Sequence, residues 1–199
     1  MVPLFPLPNV VLFPRVFLPL HIFEPRYREM VRDALATDRI IGMVLLRDGG
    51  AAGDVNNPAV FPTGCAGLIT HCEQLPDGRY NIVLRGLYKF RILEEDRTRS
   101  YRRASVETLA EPDDGGGLRE GRRRLERLLT GSGSNLKLPA GMNGADLVNA
   151  LSQYLEFDPI EKQALLERDG PTDRCRALGD LLEMQSLAGN GSFGLTPAQ

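Results

Sequence analysis

The chain has 199 residues, 42% of them hydrophobic, which is enough to bury a core in one large domain or two small ones. Its 24 basic and 26 acidic side chains give a formal net charge of -2, so neither nucleic acid nor a membrane surface is expected as a partner. Three cysteines are too few for a disulfide scaffold and indicate a reducing, cytoplasmic compartment. The proline-interrupted N-terminus differs from a signal peptide, and no apolar run is long enough to span a membrane.

Extended structure is predicted for most of the first half of the chain. Because proline cannot lie inside a helix or donate to a central ladder, residues 2–7 and 10–13 are predicted to be short edge strands or extended segments. A strand at 16–23 follows, and Pro25 with apolar residues at helical spacing predicts a helix over 25–36. The apolar run at 40–46 predicts a buried strand.

The strongest local signal is the turn sequence Leu75-Pro76-Asp77-Gly78, in which glycine supplies the positive φ that a hairpin loop needs. It predicts an antiparallel hairpin with arms at 61–73 and 79–94. Gly86, inside the second arm, predicts a bend or bulge that curls the sheet toward a barrel. Alternation along the same arm assigns Lys89 to its polar face.

The second half is predicted to be helical. After a last strand at 101–109, glycines interrupt the chain near residue 115 and leucines then recur at helical spacing. Helices are predicted at 118–129, around the apolar stripe of Leu147, Leu151, Tyr154 and Leu155, from Asp158-Pro159 onward, and at 172–186. The predicted organisation is a β-rich subdomain at 1–112, a helical subdomain at 113–187 and a disordered tail at 188–199.

Three groups of short motifs extend over about residues 2–185 and resemble one known family. The first group is Leu4-Phe5-Pro6-Leu7, Val11-Leu12-Phe13-Pro14 and Leu18-Pro19-Leu20-His21-Ile22-Phe23-Glu24-Pro25-Arg26-Tyr27. The second is Gly64-Cys65-Ala66, the turn with Arg79, Leu84-Arg85-Gly86 and Phe90-Arg91-Ile92. The third is Glu161-Lys162-Gln163-Ala164-Leu165-Leu166-Glu167 with Arg174. Together they are similar to the N-terminal, substrate-binding domain of Lon proteases, in the form of a stand-alone bacterial member.

This resemblance implies an α+β fold, with an N-terminal curled antiparallel β pseudo-barrel that carries one helix and is followed by a C-terminal helical bundle. It also implies non-catalytic recognition of unfolded or extended protein segments, or of a protein partner. The catalytic parts of Lon proteases lie in other domains, and the sequence contains no G-x-x-x-x-G-K-[ST] phosphate-binding loop. We therefore expect neither ATPase nor protease domains, no enzymatic activity and no cofactor.

The candidate peptide-binding residues lie in the first 27 positions. That segment is more aromatic and apolar than edge strands require, so some of its side chains are expected to line a groove for an extended peptide, between the β-rich and helical subdomains. Packing in the core is the competing explanation for each apolar residue. For Arg26 and Tyr27, which belong to a charged cluster where the predicted helix begins, the competing explanation is structural support. The candidates are Phe5, Leu12, Phe13, Phe17, Leu18, Arg26 and Tyr27.

Two other function classes remain open. A structural adaptor would have one constant partner instead of a range of clients. A small hydrolase would use His21 or His71, but alternation sends His71 and Cys72 to opposite faces of a strand, and Cys65 lies about 20 Å away along it. No catalytic residue and no metal site is predicted. The basic stretch of Arg97, Arg99, Arg102 and Arg103 is interpreted as a solvated mixed-charge face because Glu94, Glu95 and Asp96 adjoin it.

Overall fold

The computed structural model describes residues 1–47, 58–112, 118–131 and 141–187. The predicted loop at 49–57, the glycine break near 115 and the predicted tail at 188–199 lie outside the described residues. By contacts, the chain divides into two compact units, Met1–Ala110 and one that begins at Glu111. That these units are independent domains, with the predicted boundary after residue 112, stays a prediction.

Among its described residues, the first unit contains six strands and one helix. These elements are β1 (Val2–Leu7), β2 (Phe17–Ile22), α1 (Pro25–Leu35), β3 (Ile40–Leu45), β4 (Thr63–Gln74), β5 (Tyr80–Asp96) and β6 (Arg103–Leu109). The strand order is β2-β5-β4-β3-β1-β6, and β5 also pairs with β6. Five strands therefore close into a ring, and β2 is attached to it through β5. The α+β fold with a curled β barrel is confirmed.

The position of β1 differs from the prediction of an edge strand. It pairs with β3 in parallel, Leu4 opposite Gly42, and with β6 in antiparallel fashion, Pro3 opposite Arg103. Pro3 and Pro6 are tolerated in β1 because each lacks its N–H group on the side where the neighbouring strand does not pair with it. The N–H of Leu4 donates to Arg102 beside β6, so Pro6 also faces β6, whose pairing with β1 covers only residues 2 and 3. Pro3 faces β3 before that pairing begins.

The barrel interior is filled from every strand of the ring. One buried cluster takes one residue from each of β1, β3, β4, β5 and β6, namely Leu4, Val44, Ala66, Phe90 and Ala104. Lys89, beside Phe90, is buried as well, so its assignment to a polar face is wrong. At this point β5 lies between β4 and β6, where Lys89 is opposite Cys65 on one side and Leu109 on the other.

Both glycine predictions in the hairpin are confirmed. Gly78 adopts φ +81°, and the turn closes through hydrogen bonds from Leu75 N–H to Arg79 O (2.8 Å) and from Gly78 N–H to Leu75 O (2.9 Å). At Gly86 the register of β5 shifts, because Ala66 opposes Tyr88 while Gly67 opposes Gly86. The segment preceding β2 packs against this bulge. A Cβ at Gly86 would lie 2.0 Å from the carbonyl oxygen of Phe13.

The second unit contains the four predicted helices, α2 (Leu118–Gly131), α3 (Gly144–Tyr154), α4 (Pro159–Leu166) and α5 (Pro171–Leu187). Helix α4 begins with the expected capping box, in which Asp158 and Glu161 satisfy each other's backbone N–H groups. The leucines predicted at helical spacing form the interior, including Leu125, Leu129, Leu147, Leu151, Leu165, Leu178 and Leu182. None of the described helices combines the length and the apolar character needed to cross a bilayer.

Candidate functional site

The seven candidate residues do not form one surface. Five of them, Phe5, Leu12, Phe13, Leu18 and Tyr27, are buried in the first unit, which supports the core explanation for those side chains. Phe17 and Arg26 are exposed. A ligand in this structure can therefore reach the side chains of two candidates. The peptide-binding role of the whole set stays a prediction.

At the start of α1 the ring of Tyr27 packs between Phe5 and Arg26. The Tyr27 and Phe5 rings lie 4.5 Å apart between centroids, and the Arg26 guanidinium carbon lies 4.5 Å above the Tyr27 ring. Arg26 also forms an ion pair of 2.9 Å with Glu24. Burial raises the pKa of the Tyr27 phenol, so this ring remains neutral and acts as packing.

Near Arg26 the structure forms a cavity of about 310 Å³, which brings together two charged stretches that are far apart in sequence. Arg97, Arg99 and Arg102, from the connection between β5 and β6, line its other side. Arg97 and Arg102 each lie within 3.9 Å of Glu95, and Arg99 lies 3.6 Å from Asp33. Carboxylates thus accompany the arginines closely, as expected of a mixed-charge surface.

A more apolar surface lies on the outer face of β2. Alternation along this strand places Phe17, Pro19, His21 and Phe23 on one face, and Phe17 and Phe23 are 49% and 60% exposed. The register places Val83 of β5 opposite Pro19. We call these five residues the β2 surface. Two large aromatic side chains thus expose apolar surface, one at the first residue of β2 and the other one residue past its end.

The β2 strand also has an open side, because β5 is its one neighbour among the described strands. The N–H of Gly86 donates to the carbonyl of Val16, so in an antiparallel ladder the even-numbered residues bond to β5. Pro19 and His21 then direct their backbone groups away from β5. Proline at this point removes one donor from the open side but leaves the acceptor of Pro19 and both groups of His21 able to pair with an added strand.

Sequence reasoning included Phe17 but missed Phe23, Pro19 and His21. The signal that could have found them is the period-2 pattern of residues 16–23, in which Leu18, Leu20 and Ile22 alternate with the exposed residues. The pattern separates the two faces of the strand, and only the fold shows which of them is covered.

The two histidines occupy exposed strand positions. Nδ1 of His21 lies 2.8 Å from Oδ1 of Asn81, and Nε2 lies 3.3 Å from Arg79, so neither contact offers a nucleophile. His71 lies opposite Val83 on β4. Partial burial raises the pKa of the neighbouring Cys72 thiol, which opposes formation of a reactive thiolate. In the parts of the chain that the structure describes, no three metal-binding side chains cluster.

The closed mixed barrel with its exposed outer strand, in a chain that continues into a helical unit, defines the class of protein: an α+β domain of the kind found at the N-terminus of Lon proteases. The chain belongs to the family described as the ATP-dependent protease La (LON) substrate-binding domain, whose family model matches residues 1–184. The resemblance predicted from the motifs is therefore confirmed.

Relatives of known name and structure agree with this membership. The chain is 29% identical to Lon protease 2 of Sorangium cellulosum, covering 83% of this chain and 22% of that protein, and 28% identical to the Lon protease of Trichlorobacter lovleyi, covering 92% and 24%. A crystal structure of a Lon N-terminal domain protein from Xanthomonas campestris superimposes with a TM-score of 0.64 at 26% identity, covering 92% of this chain and 96% of that chain. The chain thus spans about a quarter of the length of these two proteases.

Proposed function

We propose that this chain binds unfolded or extended protein segments, without covalent chemistry, and that the β2 surface is where they bind. The observation that carries the proposal is the joint exposure of Phe17 in β2 and Phe23 just past its end, along a strand that pairs with β5 alone among the described strands. Membership in a substrate-binding family supports it. Of the residues expected from the sequence, Phe17 is proposed as a direct contact, whereas Arg26 lines the other cavity. Phe5, Leu12, Phe13, Leu18 and Tyr27 are buried in the first unit.

The chemistry of the β2 surface favours an extended, apolar ligand. An added strand would pair with the open side of β2 while its alternate side chains met Phe17, Pro19 and Phe23. Each half-exposed phenylalanine offers on the order of 100 Å² for burial, which corresponds to about 2.5 kcal/mol before the costs of association. Binding of this kind depends on shape and apolar contact, so many sequences of similar character are expected to bind.

Amide chemical-shift mapping tests where such a ligand binds. We would add a twelve-residue peptide of alternating Leu, Val and Thr to the isotope-labelled chain and follow the backbone amides. The proposal expects shifts concentrated in residues 17–23 and in the paired segment 80–85 of β5. Shifts confined to the arginine-lined cavity or to the helical unit would contradict it.

The choice of variants follows from burial. Phe13→Asp is unsuitable as a binding variant because Phe13 is fully buried, and an unpaired carboxylate there would unfold the barrel. Phe17→Ser and Phe23→Ser alter exposed side chains and leave the core intact. A matched control is Leu93→Ser, since Leu93 is likewise an exposed apolar residue. It belongs to β5 and lies eight positions beyond Arg85, the residue opposite Phe17, or about 26 Å along the strand.

A further inference from the structure

The helical unit carries a second concave surface, between α4 and α5. Its cavity is about 550 Å³ in volume, and its apolar lining includes Ile160 and Ala164 of α4 and Leu181 and Met184 of α5. We call it the α4–α5 groove. Ile160 and Met184 are 55% and 61% exposed, so large apolar side chains face solvent from both walls.

The rim of this groove is strongly acidic. Five carboxylates line it against two guanidinium groups, in a chain whose acidic and basic residues are nearly balanced overall at 26 and 24. Arg176 is already bound to Asp173 at 2.8 Å. The other rim carboxylates are Glu161, Glu167, Asp169 and Asp180, with Arg168 as the second base. Of these, Asp180 pairs with Arg124 at 2.8 Å, while Glu161 and Glu167 each accept one hydrogen bond from an uncharged donor.

We propose that the α4–α5 groove binds a basic amphipathic helix of a partner protein, whose apolar stripe contacts Ile160 and Met184 while its lysines or arginines meet the acidic rim. Two parallel arguments lead to this occupant. An apolar groove between two helices accepts the apolar face of a third helix, and an acidic rim selects a cationic one. Helix α4 has eight residues and is about 12 Å long, which matches two to three turns of the partner.

The same chemistry disfavours other occupants. A second copy of this chain would bring an equally acidic groove against the first. Residues 188–199 contain no charged side chain and so gain nothing from the rim. The proposal also goes beyond the β2 surface, since it concerns the other unit, a helical ligand and a charge requirement that an apolar extended segment does not meet.

The test uses two fluorescent fifteen-residue peptides with leucines at positions i, i+3, i+4 and i+7, one with lysines and one with glutamates at the remaining positions. Fluorescence anisotropy with the full chain would measure each affinity. We expect the lysine peptide to bind, with an affinity that falls as salt increases, and the glutamate peptide to bind at least tenfold more weakly. Equal binding of the two peptides, or none of the lysine peptide, would overturn the proposal.

Variants locate the binding within the second unit. The double variant Ile160→Ser with Met184→Ser is expected to lower the affinity for the lysine peptide at least tenfold. The double variant Asp169→Asn with Asp180→Asn is expected to lower it about threefold or more. Asp180 is suitable because Arg124, which contacts it at 2.8 Å, retains Glu183 at 2.9 Å. The matched control is Leu187→Ser, an exposed apolar residue of the same helix that does not line the groove. An equal loss in the control would place the peptide elsewhere.

Two further readouts exclude folding artefacts and other occupants. Amide shifts of the wild-type chain with the lysine peptide should cluster in residues 160–184 whether or not any variant folds, and shifts elsewhere would contradict the proposal. Phe17→Ser with Phe23→Ser should leave this binding unchanged, which separates it from the β2 surface. Sedimentation that shows a dimer abolished by Ile160→Ser with Met184→Ser would make a second copy the occupant and refute the cationic partner.

Discussion

The hydroxyl of Tyr101 donates a hydrogen bond of 2.8 Å to Oδ2 of Asp33, and this contact fastens the connection between β5 and β6 to helix α1. Arg99, from the same connection, lies 3.6 Å from that oxygen. Burial, together with the hydrogen bond to the Asp33 carboxylate, raises the pKa of Tyr101 to about 12. The phenol therefore remains protonated in the folded protein at pH values where an unfolded tyrosine would ionise.

A pH dependence of stability follows from this shift. Unfolded tyrosine loses its proton near pH 10, whereas folded Tyr101 keeps it to about pH 12. The contribution of Tyr101 to stability is therefore complete below about pH 10 and is lost as the pH rises toward 12. Tyr101→Phe should cost about 1 kcal/mol at pH 7 and flatten the alkaline decline, as measured by urea unfolding at several pH values.

A neighbouring variant serves as control for Tyr101. Ser100→Ala removes a hydrogen bond of 2.8 Å to Glu29 from the same connection but removes no phenol. It should retain the alkaline decline of the wild type. If Tyr101→Phe shows the same decline as Ser100→Ala, then Tyr101 is not the group that produces it.

Gly86 is predicted to be the least replaceable glycine of the barrel. An alanine Cβ would lie 2.0 Å from the carbonyl oxygen and 2.8 Å from the carbonyl carbon of Phe13, and backbone atoms cannot move aside as a side chain can. Gly86→Ala should lower the free energy of unfolding by at least about 2 kcal/mol, measured by chemical denaturation. Gly141→Ala, where a Cβ meets no atom of the described residues within 4 Å, should change it by less than about 1 kcal/mol. Similar losses in both would contradict the close approach.

Arg174 is predicted to be essential for the helical unit. Its side chain is fully buried, with Nε donating to the Leu165 carbonyl at 3.0 Å, Nη1 to Asn149 Oδ1 at 2.5 Å and Nη2 to Glu111. Arg174→Met would leave these acceptors unsatisfied and should cost about 3 kcal/mol in unfolding monitored by far-ultraviolet circular dichroism. Arg174→Lys should also be destabilising, since a lysine ammonium group cannot reproduce the planar guanidinium that donates from Nε, Nη1 and Nη2 to three separate acceptors.

The control for Arg174 is an arginine two positions further along α5. Arg176 is exposed and makes a surface ion pair with Asp173, so Arg176→Met should change stability by less than about 0.5 kcal/mol. Comparable destabilisation by the two substitutions would show that burial of Arg174 is not the cause.

Elements with local chemical signals were predictable from the sequence. The turn at Gly78 and the start of α4 at Asp158 follow from residues within four positions of each other, and the structure contains both. The place of β1 was not predictable in this way, because it depends on pairing with strands about 40 and 100 residues away. Prolines in Val2–Leu7 favoured an edge, but the staggered ends of its two partners accommodate them.

The candidate site was predictable only in part, for a similar reason. Phe13 and Phe17 both lie within two residues of a proline in an apolar segment, and nothing local distinguishes the buried ring from the exposed one. The backbone of Phe13 lies against the bulge at Gly86, a contact between segments more than 70 residues apart that no local pattern reveals. The meeting of Arg26 with Arg102 at one cavity likewise depends on the closed barrel.

The role of the β2 surface is decided by the affinity of the chain for an extended apolar peptide. We would compare the wild type, the double variant Phe17→Ser with Phe23→Ser, and the control Leu93→Ser. Fluorescence anisotropy with the alternating Leu, Val and Thr peptide would give all three dissociation constants, after circular dichroism has shown that each variant is folded. The β2 surface predicts at least a tenfold weaker affinity for the double variant, about 1.4 kcal/mol, and an unchanged affinity for Leu93→Ser. Equal affinities for the wild type and the double variant would contradict it and remove β2 as the binding surface.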